Sequence, residues 1–374
     1  MNFLKNFMKN YHIKNYNFAL ILMILGLSII GILSVGSALP SAQPKQILGV
    51  VIGLVMMVIV SLIDYEWLLN FYWGLYGINI FLLLWVKFFG VNYNGAQRWI
   101  DLKFTTLQPS DLTKIITILF FAKLLMDHET RIKEPKTIIK CVLLILPSLY
   151  LIVTQPNLSN TICIAALFCV LLYLGGLSYK VIGTALAIAV PAVIIVISIA
   201  LMPNQKIIKG YQQERILAWL NPEDYSTGTA WQQQNSIMAI GSGQLEGKGL
   251  NNNTTTSVKN GNFLLESETD FIFAIIGEEM GFVGCCIVII LILLIIIQCI
   301  RIGMKAQNLA GQIICGGVAG LIGIQSFINI GVATGTLPNT GLSLPFVSAG
   351  LTSIVCFYMG IGFVLNVGLQ PRKY

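Results

Sequence analysis

Charged residues are scarce in this chain. Asp, Glu, Lys and Arg make up only 10% of its 374 residues, against 56% hydrophobic residues and a mean hydropathy of +0.79. Soluble domains carry roughly 25% charged residues, so a deficit of this size excludes an ordinary globular protein. The short alternating segments that build a β-barrel are missing as well. A cleavable signal peptide is not evident: the first apolar run is long enough to span and lacks a clear cleavage site, so it is expected to remain as a signal anchor. The eight cysteines lie in or at the ends of apolar runs, with spacing that suits neither zinc nor a disulfide framework. The net charge of +7 carries its information in its distribution and does not point to a nucleic-acid partner.

What the chain does have is long apolar runs. Read between polar breaks, they give about ten spans, near residues 17–38, 46–64, 68–88, 109–127, 138–154, 159–176, 180–202, 270–299, 308–334 and 345–368. Each suits a helix crossing about 30 Å of hydrocarbon. The expected fold is therefore all-α, a polytopic membrane bundle forming a single transmembrane domain over residues 1–374.

An even number of spans puts both termini on one side. Lys5, Lys9, Lys14, Lys123, Arg131, Lys133, Lys136, Lys140, Lys180, Arg301, Lys305, Arg372 and Lys373 share that side, mostly in short segments flanking spans. The positive-inside rule then places both termini in the cytoplasm. Two sizeable segments fall outside, 89–108 and 203–269, the second just before the eighth span. It has too little apolar content to fold alone and is expected to pack over the bundle. Asn252–Thr254 and Asn253–Thr255 match the glycosylation sequon only weakly.

The most informative stretch is Glu266-Ser267-Glu268-Thr269-Asp270-Phe271-Ile272-Phe273, where the long polar loop gives way to an apolar run. A carboxylate at a bilayer edge is costly unless something offsets it, which marks Asp270 as a functional candidate. The competing reading is that Asp270 caps the next helix and complements its dipole. Upstream, Gly95-Ala96-Gln97-Arg98-Trp99-Ile100-Asp101 leads into Gln108-Pro109-Ser110-Asp111-Leu112-Thr113-Lys114. Pro109 fits a first helical turn, and Asp111 and Lys114, three apart, can pair on one helix face. Arg98 carries a planar guanidinium suited to phosphate, with an interfacial anchor as the alternative. Thr154-Gln155-Pro156-Asn157-Leu158-Ser159 reads as a turn and helix start.

Within the long loop, Gln213–Leu220 has the pattern of an amphipathic helix lying on the membrane and contains Arg215. The glycines at 241, 243, 247 and 249 lack the strand–loop–helix context of a nucleotide site. Leu337–Gly350, including Ser348, breaks an apolar region, which is tolerated where backbone is buried in protein or lines a watery cavity. Gly316 with Gly320, and Gly331 with Gly335, have the spacing of close helix packing.

Together these segments resemble the SEDS family, the RodA, FtsW and SpoVE proteins of bacterial cell-wall synthesis. The matching pieces are Gly95–Asp101, Gln108–Lys114, Gln155–Leu158, Ile240–Gly249, Glu266–Phe273 with Gly277–Gly281, and Leu337–Gly350, in the family's order. The resemblance implies a peptidoglycan glycosyltransferase of the bacterial cytoplasmic membrane that polymerises lipid II on the outer face. It places the family's essential acid at Asp270. Arg98, Lys114, Asp111, Arg215, Gln155, Glu266 and Ser348 are the accompanying substrate-binding candidates. It also implies an undecaprenyl pyrophosphate-linked glycan as co-substrate and a class B penicillin-binding transpeptidase as partner. Glu266, Glu268 and Asp270 could gather a divalent cation, but no complete ligand set is visible.

Some positions depart from the family pattern. Asn157 stands where an acidic residue is usual, Ser159 where glycine is usual, and Ala349 and Leu351 where tyrosine and glycine are common. Two other readings remain: a lipid II flippase, and a non-catalytic scaffold for a penicillin-binding protein. A flippase would need charge through the bilayer, whereas apart from Asp111–Lys114 and Glu278–Glu279 the charged residues that can be placed lie near the faces.

Overall fold

The structure is a computed structural model and describes residues 16–93, 96–101, 106–202, 210–221, 229–251, 264 and 266–370. Gly95, Leu265 and the sequons lie outside these residues. Among these residues thirteen α-helices follow in order: α1 Phe18–Ala38, α2 Gln43–Leu62, α3 Tyr65–Leu69, α4 Tyr72–Phe89, α5 Pro109–Asp127, α6 Pro135–Thr154, α7 Leu158–Leu174, α8 Tyr179–Ala200, α9 Gly210–Leu220, α10 Thr229–Ser242, α11 Ile272–Met304, α12 Leu309–Ala333 and α13 Leu351–Leu369. Every expected span coincides with one of these helices. Seven are long and apolar enough to cross a membrane by length and composition among the described residues.

Local chemistry sets the boundaries. Asn17, Asn157 and Asn308 each begin a helix by accepting a backbone N–H, from Leu20 at 3.0 Å, Asn160 at 3.3 Å and Gly311 at 2.9 Å. Proline opens α2, α5 and α6, where its missing N–H costs nothing.

The all-α expectation omitted one feature. Between α4 and α5, residues 91–107 contain a small antiparallel sheet of β1 Val91–Tyr93, β2 Ala96–Asp101 and β3 Thr106–Leu107. Val91 pairs with Trp99, and Ile100 with Leu107. A strand pairing over so few residues leaves little periodicity for a sequence to display.

The long loop packs over the bundle, as expected. The Trp219 indole of α9 donates to Gly335 O at 3.0 Å. Gln233 of α10 donates to Val332 O and Leu337 O at 2.9 and 2.7 Å, and Ser236 to Ala333 O at 2.7 Å. Gln213–Leu220 is thus a docked helix rather than one lying free on the membrane.

The eighth span is kinked. α11 breaks at Gly281, with φ 65° and ψ −164°, a conformation open to glycine. Residues 282–304 alone reach about 35 Å at 1.5 Å per residue, enough to cross. Glu278 and Glu279 therefore belong to a short leading helix, 272–280, where both are buried. The turn after α10 straps this break: Lys248 N and Gly249 N donate to Glu278 O and Glu279 O at 2.9 and 3.0 Å. Lys248 Nζ also pairs with Glu278 Oε1 at 2.8 Å.

α12 and α13 form the centre. Of their apolar windows 61% and 78% are buried, against 17% for the peripheral α4. Small residues let helices approach. A Cβ on Gly316 or Gly320 of α12 would meet Leu174 at 2.5 Å or Val170 at 3.0 Å of α7. The second glycine pair does something else: Gly331 makes room for Leu337, and Gly335 ends α12. Gly53 of α2 faces the Tyr358 ring of α13, where a Cβ would lie 2.4 Å from a ring carbon. Tyr358 is fully buried and its hydroxyl is 2.7 Å from Ser28 Oγ. Gly53→Leu should therefore destabilise the fold by about 1–3 kcal/mol through overpacking, read as a lower thermal midpoint in detergent. An unchanged midpoint would mean that α2 and α13 are not closely packed there.

Candidate active site

Asp270 stands two residues before α11, in a turn closed by Thr269 N and Asp270 N donating to Glu266 O at 3.1 and 3.2 Å. The helix-cap reading of this residue does not hold. Phe271 is the N-cap, no side chain caps the helix, and the Asp270 carboxylate makes no hydrogen bond among the described residues. It instead lines a cavity of about 490 Å³ at the end of the bundle where α5, α11 and α13 begin.

That cavity gathers most of the residues picked out in the sequence. Arg98, Asp111, Lys114, Arg215, Glu266 and Asp270 all line it, with Glu268 beside them. They come from β2, α5, α9 and the turn before α11, segments up to 172 residues apart from Arg98 to Asp270. Asp111 and Lys114 pair at 2.9 Å as their spacing predicts, and Lys114 is only 2% exposed. Its ammonium also donates to Gln325 Oε1 at 2.9 Å. The Gln325 amide then donates to Ser343 O and Oγ at 2.9 and 3.1 Å, and Ser343 Oγ lies 2.9 Å from Ser353 Oγ. A buried cation is tolerable only with such partners, and here they tie α5, α12 and α13 together.

Gln155 and Ser348 correct the expectation, because neither lines the cavity. Gln155 is buried; its side-chain amide donates to Leu83 O at 3.0 Å, while its carbonyl accepts from Arg98 Nε at 3.2 Å. Arg98 also donates to Pro156 O. Gln155 thus holds the Arg98 guanidinium through its main chain. Ser348 is buried too: its hydroxyl donates to Thr269 O at 2.6 Å and accepts from Leu344 N at 2.7 Å. It fastens the 337–350 segment to the residue preceding Asp270.

Asn329 performs the same task and was not singled out in the sequence. Its amide donates to Asp270 O at 2.9 Å and to Leu342 O at 2.6 Å. Gly341 was equally unremarked as a single position. It has φ 73°, and a Cβ there would lie 3.0 Å from Asp270 Oδ2. A polar residue deep in an apolar helix was the available signal for both Asn329 and Gln325.

The departures from the family pattern also have places. Asn157 caps α7 and donates to Ser110 Oγ at 3.3 Å, so a neutral amide keeps the structural contacts of that turn. Ser159 donates to Thr340 O. Ala349 and Leu351 both line the cavity, where alanine leaves the wall less filled than tyrosine would.

Electrostatics single out Asp270. Burial, then the Glu266 carboxylate, push its pKa up to about 7, against the pull of Arg215 and Arg98 and with a further push from Glu268. Such a group is half ionised near neutrality, as suits a proton acceptor. Among the described residues no three His, Cys, Asp or Glu groups come together as a metal site, so Glu266, Glu268 and Asp270 do not form a cation cage by themselves.

Fold and site define a polytopic helical membrane protein with an acid–cation cavity at one end of the bundle. The chain belongs to the cell cycle protein family of FtsW, RodA and SpoVE, whose model matches residues 12–373. It is 33% identical to the peptidoglycan glycosyltransferase MrdB of Escherichia coli K12, over 97% of this chain and 95% of that one. It is 30% identical to a probable peptidoglycan glycosyltransferase FtsW of Trichlorobacter lovleyi, over 96% and 94%. Among solved structures, a chain of a peptidoglycan synthase complex that coordinates polymerization and crosslinking superposes with a TM-score of 0.79 at 27% identity, over 94% of this chain and 97% of that one. The Thermus thermophilus rod shape determining protein RodA shares the fold, with a TM-score of 0.70 at 24% identity over 96% and 98%.

The raised pKa of Asp270 has a stability consequence. Unfolded, the carboxyl ionises near 3.8; folded, near 7. The folded state therefore loses stability as pH rises between those values and stays reduced above them. Asp270→Asn should raise the thermal midpoint, more at pH 8 than at pH 5. A midpoint that falls equally at both would show that the carboxylate supports the fold.

Proposed function

We propose that the chain, working as one transmembrane unit, is a peptidoglycan glycosyltransferase that polymerises lipid II with Asp270 as general base. The observation that carries this reading is one carboxylate, poised near neutrality, facing two arginines across a cavity. The names of the relatives agree with it.

In this reaction the 4-hydroxyl of an incoming lipid II sugar attacks the anomeric carbon of the growing glycan. The new O–C1 bond forms as the bond from C1 to the pyrophosphate oxygen breaks. Undecaprenyl pyrophosphate departs with the electron pair, and the hydroxyl proton passes to Asp270 and then to water. Arg98 and Arg215 lie where they would hold the pyrophosphate charge that grows in the transition state. Lys114, already donating to Asp111 and Gln325, adds its field from the cavity floor. Asn329 and Ser348 keep the Asp270 turn in register with the 337–350 segment, so the base need not be reorganised as the proton moves.

The cavity is placed on the outer face of the cytoplasmic membrane, with both termini in the cytoplasm. The basic residues in the short loops on the terminal side support that orientation. A class B penicillin-binding transpeptidase is the partner this role calls for, since the glycan made must be crosslinked. The likeness to a chain from a polymerising and crosslinking complex supports it.

Polymerisation of purified lipid II, with and without the transpeptidase and a chelator, tests the reading. Asp270→Ala and Asp270→Asn should each lower glycan synthesis by about 100-fold or more while remaining folded. Full activity in a well-folded variant would remove Asp270 from the role of base. The wild-type rate should also climb as pH rises through about 7 and level off above it, because the ionised form accepts the proton. A rate that is flat from pH 5 to pH 8 would rule out Asp270 as the titrating base.

A further inference from the structure

A second cavity, of about 430 Å³, lies at the opposite end of the bundle, where α1 begins and α11 and α13 end. α13 runs from the first cavity to this one, about 28 Å at 1.5 Å per residue. Its lining includes Asn17, Gln298, Arg301, Lys305 and Gly368, and no carboxylate. Gln298, Arg301 and Lys305 are spaced three and four apart, so they stack on one face of α11.

The chemistry of this hollow is one-sided. Asn17 donates to Gln298 Oε1 at 3.3 Å, which orients the Gln298 amide. The Gln298 amino group, the Arg301 guanidinium and the Lys305 ammonium have no acceptor among the described residues. The nearby acids are engaged elsewhere: Asp64 accepts from Gln370 at 3.3 Å and from Glu66 N at 2.9 Å, and Glu66 accepts from Asn308 at 2.5 Å. No Asp or Glu occurs before Asp64 or after Glu279, while both terminal tails carry lysine or arginine.

The hollow also opens toward lipid. On α11, Ile297, Ile300 and Met304 are 42%, 46% and 70% exposed, each one residue before a member of the polar stripe. An apolar lane therefore runs about 100° around the helix from the donors. A ligand with an anionic head and a hydrocarbon tail satisfies both surfaces.

We propose that this hollow is a binding site for the phosphodiester headgroup of an anionic membrane phospholipid. The phosphate sits on Arg301, Lys305 and the Gln298 amide, with an acyl chain along Ile297, Ile300 and Met304. Basic pockets between helix ends bind acidic lipid headgroups by this combination, and the guanidinium fork fits phosphate oxygens. The site is separate from the Asp270 cavity and does not depend on the function proposed for it.

Native mass spectrometry of the full chain in detergent, titrated with phosphatidylglycerol or phosphatidylcholine, tests this. The wild type should retain phosphatidylglycerol preferentially. The double variant Arg301→Gln, Lys305→Gln should bind it about tenfold more weakly, while Lys136→Gln, Lys140→Gln, which removes equal charge elsewhere, should not. Gel filtration and lipid II polymerisation without added phosphatidylglycerol check that the first variant is folded. Equal binding by wild type and the Arg301 and Lys305 variant would overturn the proposal. So would an equal loss in the Lys136 and Lys140 variant, which would make the attraction a property of net charge. Displacement of the lipid by millimolar inorganic phosphate would assign the hollow to a soluble anion instead.

Discussion

Backbone that leaves the helix inside an apolar bundle must find hydrogen-bond partners there or forfeit several kcal/mol for each group. Much else in this protein follows from how residues 334–350 meet that demand. Gln46 of α2 donates to Val347 O and Ser348 O at 3.1 and 3.3 Å. Gln325 and Asn329 of α12 serve Ser343 O and Leu342 O, and Ala349 N donates to Glu268 O at 2.8 Å. Because Asn329 and Ser348 reach at the same time to the carbonyls of Asp270 and Thr269, satisfying the buried segment also fixes the acid. Phe346, held at φ 64° and packed against Phe357 and Tyr358, shows that the segment is strained into place rather than draped there.

The charges obey a related economy. Lys114 is deeply buried, and its bonds to Asp111 and Gln325 leave it a source of field more than a free hand. Arg98 is partly committed to the Gln155 and Pro156 carbonyls. The Asp270 carboxylate makes no protein hydrogen bond among the described residues.

Much of this could be read from the sequence. The helices follow from apolar runs whose length is set by the membrane, and the Asp111–Lys114 pair follows from helical spacing. Asp270, Arg98, Arg215 and Glu266 were readable as candidates because charge in such a chain is conspicuous. Asn329, Gln325 and Gly341 were harder to find, since their roles rest on which carbonyls lie opposite them, a property of tertiary packing. Gln155 and Ser348 failed in the converse way: a polar side chain beside a motif says nothing about whether it turns toward a cavity or toward backbone. The small sheet at 91–107 and the break at Gly281 were missed because short pairings and single glycines carry almost no periodic signal.

The break at Gly281 makes α11 two levers joined at a point rather than one rod. The long arm lies among the spanning helices and ends at the basic hollow; the short arm leads into the Asp270 turn. The Lys248–Gly249 strap spans that joint, and Asn329 of α12 holds the acid's carbonyl from the neighbouring helix. The acid is thus held from two helices at once, by the short arm that follows it and by α12.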